Sequence, residues 1–364
     1  MDLSCGSPPI IEPSKHNDSS FESDAADARS LHAAPPLPAF LQIEPVGQCN
    51  LACVMCPVHQ RVDAPTDGRP ALMPFERYTA LLAQFPNLKE LHLQGLGEPM
   101  MHPRFFDMVE TAASKGIKVG CNSNCTLVSD ARAERCVTSG LHELHVSIDG
   151  ATARTYERIR RGARFDRVIA NILKVQRARR RYRSRTPELI LTVVVMRQNV
   201  HELPDLVRLA HRLSIRSVFV QHLGHELAEP SLPAVYAPFR MFIQEQSLVS
   251  IDRDTVKSLF ATARAAAQEL NITLRLPRLE ELPMLPGSAR RCDWPWTSSY
   301  ITYQGYAVPC CIMATPDRAH FGNVYEHGVN DVWHGAEAED FRRRLDSTDP
   351  PDPCRSCSVY KGVF

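Results

Sequence analysis

The chain has 364 residues, a formal net charge of +1 and 23% charged residues. A nearly neutral chain carries no global field that would attract nucleic acid or a membrane surface, and no apolar stretch approaches the length of a membrane span. No signal peptide is recognisable, so the 12 cysteines favour metal ligation in a reducing compartment over disulfides. These properties predict a cytoplasmic protein without nucleic-acid or membrane partners, built as one large domain and a smaller one.

The first part of the chain differs in composition from the rest. Residues 1–39 are rich in Ser, Asp, Ala and Pro with little apolar periodicity, which predicts a disordered lead-in rather than a folded peptide-binding module. From residue 40 to residue 224, short apolar runs alternate with amphipathic helical patterns around 103–115, 129–139, 152–182 and 202–213. This alternation predicts βαβ units and a parallel sheet with strands at 40–44, 88–94, 117–122, 143–148, 189–195 and 217–222.

Three thiols follow the first predicted strand. Cys49, Cys53 and Cys56 have the spacing C-x3-C-x2-C. Thiols at short spacings of this kind hold iron–sulfur clusters, usually with four cysteines per cluster. Because no fourth thiol stands nearby, one iron would be left to bind a small molecule. A zinc site is the alternative, although zinc motifs usually pair two C-x2-C halves.

This motif at the end of a first strand resembles the signature of the radical S-adenosylmethionine (radical SAM) enzymes. The resemblance implies an α/β fold, a partial (β/α)6 TIM-like barrel with its ligands at the carboxyl ends of the strands. It implies a 4Fe-4S cluster on Cys49, Cys53 and Cys56, whose remaining iron is chelated by SAM. Reductive cleavage of SAM would give a 5′-deoxyadenosyl radical that abstracts hydrogen from the substrate. A flavodoxin- or ferredoxin-type electron donor is the expected partner.

A glycine-rich segment follows the second predicted strand. In Gly95-Leu96-Gly97-Glu98-Pro99, the glycines let the backbone approach a ligand closely, and the carboxylate can accept a hydrogen bond from an ammonium group. The segment resembles the Gly-Gly-Glu-Pro motif with which the family binds the amino group of SAM, and Leu96 is a departure from that motif. An ordinary turn between strand and helix is the alternative.

Polar residues also follow the third and fourth predicted strands. By the same resemblance, the side chains near the SAM ribose or methionine carboxylate are those of Ser123, Asn124, Ser147 and Asp149. Arg160 is a candidate clamp for a carboxylate. Asx turns and N-caps are the alternative for the first four residues, and a solvated side chain is the alternative for Arg160.

The last part of the chain carries a second cysteine set. Cys292 precedes a Gly-x4-Cys-Cys pattern ending at Cys310 and Cys311, and Cys354 and Cys357 form C-x2-C. A predicted hairpin, a Gly-Asn-Val segment and a Trp-containing helix lie between them. The arrangement resembles the SPASM or shorter twitch extension of radical SAM enzymes, a small cysteine-rich α+β domain. It would occupy residues 289–364, joined to the barrel at 40–224 by a helical bridge at 225–288.

The resemblance implies an auxiliary 4Fe-4S cluster on Cys292, Cys310, Cys354 and Cys357, and a zinc ion is the alternative for this set. The full SPASM pattern has further cysteines, so we expect one auxiliary cluster. Either adjacent cysteine could be the ligand, but the Gly-x4-Cys spacing favours Cys310. Cys311 would then be a buried small residue, or it would face the substrate as a hydrogen-atom donor.

Several functions are compatible with these motifs. The first is an oxidoreductase that dehydrogenates a small molecule such as a sugar or an aminocyclitol. A maturase that modifies a peptide or protein substrate, or a redox-neutral epimerase using Cys311, is the alternative within the family. An iron–sulfur electron carrier is the alternative outside enzymes. No general base is evident, and His222 at the end of the sixth strand is the histidine we single out, although a lone histidine is more often structural.

Overall fold

The computed structural model describes residues 35–65, 69–223, 232–281 and 292–363. The predicted lead-in up to residue 34, and residues 225–231 and 282–288 of the predicted bridge, lie outside the described residues. Within the described ranges, no helix has the length and hydropathy needed to cross a membrane. The predicted domain boundaries remain predictions.

The described strands form one sheet, in the order β10-β9-β8-β1-β2-β3-β4-β5-β6-β7. The strands from β8 through β1 to β7 pair parallel with their neighbours. The pairs β8–β9 and β9–β10 are antiparallel. The strands are β1 Phe40–Ile43, β2 Glu90–Leu93, β3 Lys118–Ser123, β4 Leu141–Ser147, β5 Glu188–Val195, β6 Ser217–His222, β7 Thr273–Arg275, β8 Ser298–Ile301, β9 Tyr306–Val308 and β10 Gly322–Asn323.

Among the helices of the described ranges, the first nine lie between parallel strands along the chain, and the last four follow β10 in the C-terminal segment. They are α1 Phe75–Ala83, α2 Phe105–Ala113, α3 Asp130–Thr138, α4 Ala153–Ile159, α5 Phe165–Arg181, α6 Leu203–Arg212, α7 Ala237–Gln246, α8 Arg253–Glu269, α9 Trp294–Thr297, α10 Val324–His327, α11 Val329–Trp333, α12 Ala336–Leu345 and α13 Asp352–Arg355. The structure is a mixed α/β fold with a largely parallel sheet. It confirms the predicted fold class, an α/β partial barrel.

The two faces of the strands differ in character. In β4, Leu144 and Val146 are fully buried in the main apolar core, whereas Glu143, His145 and Ser147 are partly exposed. Side chains alternate between the faces of a strand, so apolar residues pack on the helices and polar residues line the barrel interior.

The sheet extends beyond the six strands expected from the sequence. β7 pairs with β6, and β8 pairs with β1 in the register Phe40↔Ser298 to Ile43↔Ile301. The cysteine-rich C-terminal segment therefore continues the sheet of the barrel. The sequence patterns could not reveal this pairing because it joins segments far apart in the chain.

The helix expected over 152–182 is interrupted. α4 ends at Ile159 and α5 begins at Phe165, with Gly162 at φ +93° between them. A positive φ favours glycine and is incompatible with a continuing α-helix. The interruption places Arg160 in the connection, at the carboxyl ends of the strands, rather than on a solvated helix face.

The start of α4 is held by a carboxylate from a neighbouring connection. Glu202, which is 7% exposed, accepts hydrogen bonds from Ala151 N at 2.6 Å, Thr155 Oγ1 at 2.5 Å and Thr152 Oγ1 at 3.2 Å. An anionic acceptor at a helix N-terminus satisfies donors that the helix itself leaves unpaired. Glu202 thereby fixes the start of α4, the helix that ends immediately before Arg160.

We expect Glu202→Ala to lower the free energy of unfolding by about 2–4 kcal/mol, because it leaves buried donors without an acceptor. Equilibrium urea unfolding followed by circular dichroism measures this loss. Glu269→Ala, at an exposed position in α8, is the matched control and should change the value by less than about 0.5 kcal/mol. An equally small loss for Glu202→Ala would contradict the prediction.

Candidate active site

A cavity of about 320 Å³ lies at the carboxyl ends of the parallel strands. Its wall brings together eleven of the predicted site residues, namely Cys49, Cys53, Cys56, Gly95, Gly97, Glu98, Ser123, Asn124, Ser147, Arg160 and Cys311. Pro99 and Asp149 are buried behind this wall rather than in it. A second, more open cavity of about 550 Å³ beside the start of α1 includes none of these residues.

The loop that carries the first three thiols is fixed by backbone hydrogen bonds to the end of α4. Ala52 N donates to Arg161 O at 3.0 Å, and Val54 N donates to Ile159 O at 2.9 Å. Asn50 Nδ2 also donates to Thr126 Oγ1 at 2.8 Å. The loop is therefore held from the β3 and β4 connections, although it begins after β1.

The three thiols of this loop share a buried environment. Burial raises the pKa of Cys49 to about 11 and of Cys56 to about 12, and burial also raises the pKa of Cys53 although Arg160 opposes the rise. Such thiols stay protonated at neutral pH unless a metal centre ionises them, as coordination does. Three thiols on one cavity wall would supply three of the four ligands that an iron–sulfur cluster needs, which leaves one iron without a protein ligand.

The carboxylate of Glu98 is tied to the loop after β3. It accepts hydrogen bonds from Ser123 Oγ at 2.7 Å, Asn124 N at 2.8 Å and Met100 N at 3.2 Å. Burial raises the pKa of Glu98, and these hydrogen bonds oppose the rise. The glycine-rich segment and the β3 loop thus form one unit, while Asn124 Nδ2 reaches Cys49 Sγ at 3.8 Å.

The two glycines of the segment allow a close approach to the chain that follows β1. A Cβ at Gly97 would lie 2.0 Å from Val46 O, and a Cβ at Gly95 would lie 2.2 Å from Glu44 Cγ. Backbone and a buried side chain occupy those positions, so no larger residue fits. The glycines are therefore required by packing inside the protein, in addition to any close approach to a ligand.

Arg160 reaches the cavity with a carboxylate behind it. Its Nε lies 2.7 Å from Asp149 Oδ2, and its Nη1 lies 3.9 Å from Cys53 Sγ. Asp149 Oδ1 accepts a hydrogen bond from Val194 N at 2.7 Å, and Asp149 has no exposed surface. The Asp149 carboxylate is thus paired with Arg160, and its predicted place near the SAM ribose or carboxylate stays a prediction.

A buried ion-pair network beside the thiol loop was not identified from the sequence. Arg61 contacts both Glu44 and Asp63, and Arg61 and Glu44 are almost completely buried. The sequence did contain a signal, because Glu44 ends an otherwise apolar strand and a buried carboxylate requires a partner.

The second cysteine set gathers on the far side of the cavity wall. Cys310 and Cys354 pack against an apolar cluster of Tyr300, Val308 and Met313. Burial, and then the proximity of Cys357, raises the pKa of Cys310 to about 11. Cys292 is close enough to Cys310 and Cys357 for their charges to affect its pKa, which burial raises.

Cys311 differs from these four thiols because it lines the cavity. The neighbouring side chains of Cys310 and Cys311 thus lie in different surroundings. Cys310 packs against the apolar cluster, and Cys311 lines the cavity. Burial raises the pKa of Cys311 well above its ordinary value, so its thiol is neutral in this setting.

Neither cysteine set has the geometry of a single-ion site. Among the residues that the structure describes, no three His, Cys, Asp or Glu side chains are grouped so as to hold one metal ion. Zinc draws its thiolate ligands to about 2.3 Å from one centre, whereas a four-iron cluster spreads its ligands over separate irons.

Neither His222, the histidine singled out from the sequence, nor His145 belongs to the cavity wall. His222 Nε2 lies 2.8 Å from the carbonyl oxygen of Arg278 and is not part of the cavity wall. His145 Nδ1 lies 3.3 Å from the hydroxyl of Thr192, which does line the cavity.

Comparison with known proteins gives relatives that align over most of their length. The tungsten-containing aldehyde ferredoxin oxidoreductase cofactor-modifying protein of Pyrococcus furiosus is 26% identical over 341 residues, 88% of this chain and 87% of that protein. A PqqA peptide cyclase of Rhizobium meliloti is 28% identical over 344 residues, 93% of this chain and 84% of that protein. An AdoMet-dependent heme synthase of Methanosarcina barkeri is 25% identical and covers 89% of both chains.

Solved structures share the fold. Streptococcus suis SuiB bound to the precursor peptide SuiA aligns with a TM-score of 0.64 at 17% identity, over 89% of this chain and 70% of that one. Native anSMEcpe with bound AdoMet aligns with a TM-score of 0.60 at 15% identity, over 90% of this chain and 88% of that one. At these identities the similarity establishes the architecture alone.

Two family models match the chain in the order that its two cysteine sets predicted. The radical SAM superfamily model matches residues 43–210, and the SPASM model, an iron–sulfur cluster-binding domain, matches residues 292–358. The first domain type binds a 4Fe-4S cluster and SAM, and the second holds an auxiliary cluster. The chain belongs to the radical SAM enzymes and carries a C-terminal SPASM domain.

Proposed function

We propose that this enzyme modifies a peptide or protein substrate by radical chemistry. The proposal is supported by the PqqA peptide cyclase relative, which aligns with 93% of this chain. It is also supported by the cavity, whose wall combines the barrel loops with residues 311–318 of the C-terminal segment. A substrate side chain entering there would meet the three thiols of the first set and Cys311 from one position.

Cys49, Cys53 and Cys56 would hold the cluster that binds SAM. When bound, the cluster and SAM together supply abstraction of a hydrogen atom from an unactivated C–H bond. The chain's own contribution is to place the substrate C–H within reach and to exclude water from the site. Cys292, Cys310, Cys354 and Cys357 would hold the auxiliary cluster.

The polar residues of the wall would orient SAM. Glu98 has three hydrogen bonds to its carboxylate, which leaves acceptor capacity for the ammonium group at the cavity face. Arg160, with Asp149 behind it, would bind the SAM carboxylate as a pre-oriented guanidinium. Asn124 and Ser147 would contribute hydrogen bonds, while Ser123 and Pro99 would act by positioning Glu98.

The substrate side of the cavity has a mainly apolar wall. This wall includes Tyr236 in the turn before α7, Phe239 and Ile243 of α7, and Met313 and Thr315 of the C-terminal segment. Such a surface suits an apolar or aromatic side chain more than a sugar, whose hydroxyl groups need polar partners. Dehydrogenation of a sugar or aminocyclitol is therefore the less favoured proposal.

A second candidate function rests on Cys311. Its thiol lines the cavity, where it could donate a hydrogen atom to a carbon radical and complete a redox-neutral epimerisation. Oxidative modification requires no such donor.

The first experiment separates the two cysteine sets. After anaerobic reconstitution we expect about eight irons per chain in the parent and about four in a variant with Cys49, Cys53 and Cys56 replaced by Ala. With SAM and dithionite, the parent should form 5′-deoxyadenosine and the variant should not. Iron assay and liquid chromatography measure both results. No SAM cleavage by a parent with full iron would contradict the assignment.

The second experiment tests the substrate class. The reconstituted enzyme is incubated with SAM, dithionite and either a protease digest of deuterated bacterial protein or a mixture of deuterated sugars and aminocyclitols. We expect deuterium in 5′-deoxyadenosine from the peptide mixture, because hydrogen abstraction transfers the label. Mass spectrometry measures the transfer, and the triple alanine variant is the control. Label arriving only from the small molecules would refute the peptide proposal.

The third experiment distinguishes the adjacent cysteines. We expect Cys310→Ala to lose about four irons and Cys311→Ala to retain about eight, because Cys310 packs against the same apolar cluster as Cys354, whereas Cys311 lines the cavity. If the enzyme epimerises, the parent in D₂O should incorporate deuterium into the peptide product and Cys311→Ala should not. Loss of iron from Cys311→Ala, with full iron in Cys310→Ala, would make Cys311 the ligand of the auxiliary cluster instead of Cys310.

A further inference from the structure

The network around Arg61 connects four segments that surround the thiol loop. Arg61 follows the last thiol of the loop, and Glu44 and Gly47 precede the first. Leu96 belongs to the glycine-rich segment, and Tyr303 lies in the C-terminal hairpin between β8 and β9. The cavity wall does not include Arg61, Glu44 or Tyr303, so none of them is placed to touch SAM directly.

Arg61 closes the two ends of the thiol loop on each other. Its Nη1 donates to Glu44 Oε1 at 2.8 Å and to Gly47 O at 3.2 Å, and its Nη2 lies 3.2 Å from Glu44 Oε2. On its other side, Nε and Nη2 each donate to the Asp63 carboxylate at 2.8 Å. The guanidinium is thus paired bidentately with two carboxylates, a geometry that lysine cannot reproduce.

Glu44 carries the connection to the SAM side of the cavity. Besides its ion pair, Glu44 Oε1 accepts a hydrogen bond from Leu96 N at 3.0 Å. The neighbouring Gly95 leaves room for the Glu44 side chain, because a Cβ at that position would overlap it. Rotation of the Glu44 carboxylate would therefore disturb both Arg61 and the segment that carries Glu98.

The C-terminal hairpin covers this network. Tyr303 OH donates to Asp63 O at 3.0 Å, and Gln304 Nε2 donates to the same oxygen at 2.8 Å. The guanidinium carbon of Arg61 lies 5.2 Å from the centre of the Tyr303 ring, within the range of a cation–π contact. A Cβ on Gly47 would lie 2.3 Å from that ring, so the ring packs directly on the backbone two residues before Cys49.

A buried ion pair contributes little net stability, because desolvation of both charges offsets their attraction. Its effect is geometric, since few alternative arrangements satisfy every charge. We propose that Arg61 and Glu44 are positioning residues that hold the thiol loop and the glycine-rich segment in the relative geometry required for SAM binding, and that Tyr303 makes this geometry depend on the C-terminal hairpin. This inference rests on the proposed placement of the SAM-binding cluster at Cys49, Cys53 and Cys56.

The test uses three conservative variants and one matched control. Arg61→Lys keeps the charge but loses the paired hydrogen bonds, Glu44→Gln keeps the shape but loses the charge, and Tyr303→Phe removes one hydroxyl. Arg342→Lys is the control, because Arg342 is also a buried arginine but donates to Pro295 O and Trp333 O, away from the thiol loop. Arg342 has no place in the proposed SAM site.

Two readouts are independent of turnover. Hydrogen–deuterium exchange of the protein without clusters reports the mobility of residues 47–60. The change that SAM causes in the electron paramagnetic resonance spectrum of the reduced, reconstituted enzyme, titrated with SAM, gives its dissociation constant. Iron content and melting temperature are measured in parallel, so that loss of folding is recognised.

We expect Arg61→Lys and Glu44→Gln to raise the dissociation constant for SAM at least about tenfold, because charge-assisted hydrogen bonds are lost. Tyr303→Phe should raise it about two- to fivefold, and Arg342→Lys should stay within about twofold of the parent. Exchange in residues 47–60 should increase in the first three variants only. If Arg61→Lys or Glu44→Gln does not fold, SAM binding and exchange in Tyr303→Phe, the mildest change, decide whether this network holds the loop.

Parent-like SAM binding and parent-like exchange in a folded Arg61→Lys or Glu44→Gln variant would overturn the positioning role. Parent-like values in Tyr303→Phe alone would overturn the dependence on the hairpin. If the parent itself shows no spectral response to SAM, the proposed site fails, and the exchange measurement still decides whether Arg61 holds the loop.

Discussion

Strand β1 is hydrogen-bonded along both edges, to β2 in the barrel and to β8 in the C-terminal segment. Because all three strands are parallel, their carboxyl ends meet at one edge of the sheet. The thiol loop, the glycine-rich segment and the Tyr303 hairpin follow these ends, so a four-residue strand brings three distant parts of the chain together. The arrangement of the active site depends on this double pairing.

The charges at this edge are organised in two separate buried pairs. Arg160 is paired with Asp149 beside Cys53, and Arg61 is paired with Glu44 on the other side of the loop. Each pair is costly to bury and is satisfied by further hydrogen bonds. A protein that needed only a stable core would place apolar residues there. The pairs instead give the thiol loop a defined position between two fixed guanidinium groups.

The barrel and the segment that follows it contribute different residues to the cavity wall. The barrel loops contribute the thiols of the first set and most of the polar groups of the cavity wall, while α7 and residues 311–315 add apolar side chains on the side where a substrate would enter in the proposed function. In the proposed function, the SAM chemistry and the selection of the substrate lie on different elements. Relatives named for peptide, haem and cofactor chemistry align over nearly the whole chain.

The sequence by itself determined the fold class, the two cysteine sets and the glycine-rich segment, because spacing along the chain and strand–helix alternation are local properties. Only the tertiary structure decided that Asp149 is directed to Arg160, that Cys311 rather than Cys310 lines the cavity, that β8 joins β1, and that Arg61 pairs with Glu44 beneath Tyr303. These contacts join residues far apart in the chain. They depend on how the complete sheet packs, and no local pattern records that information.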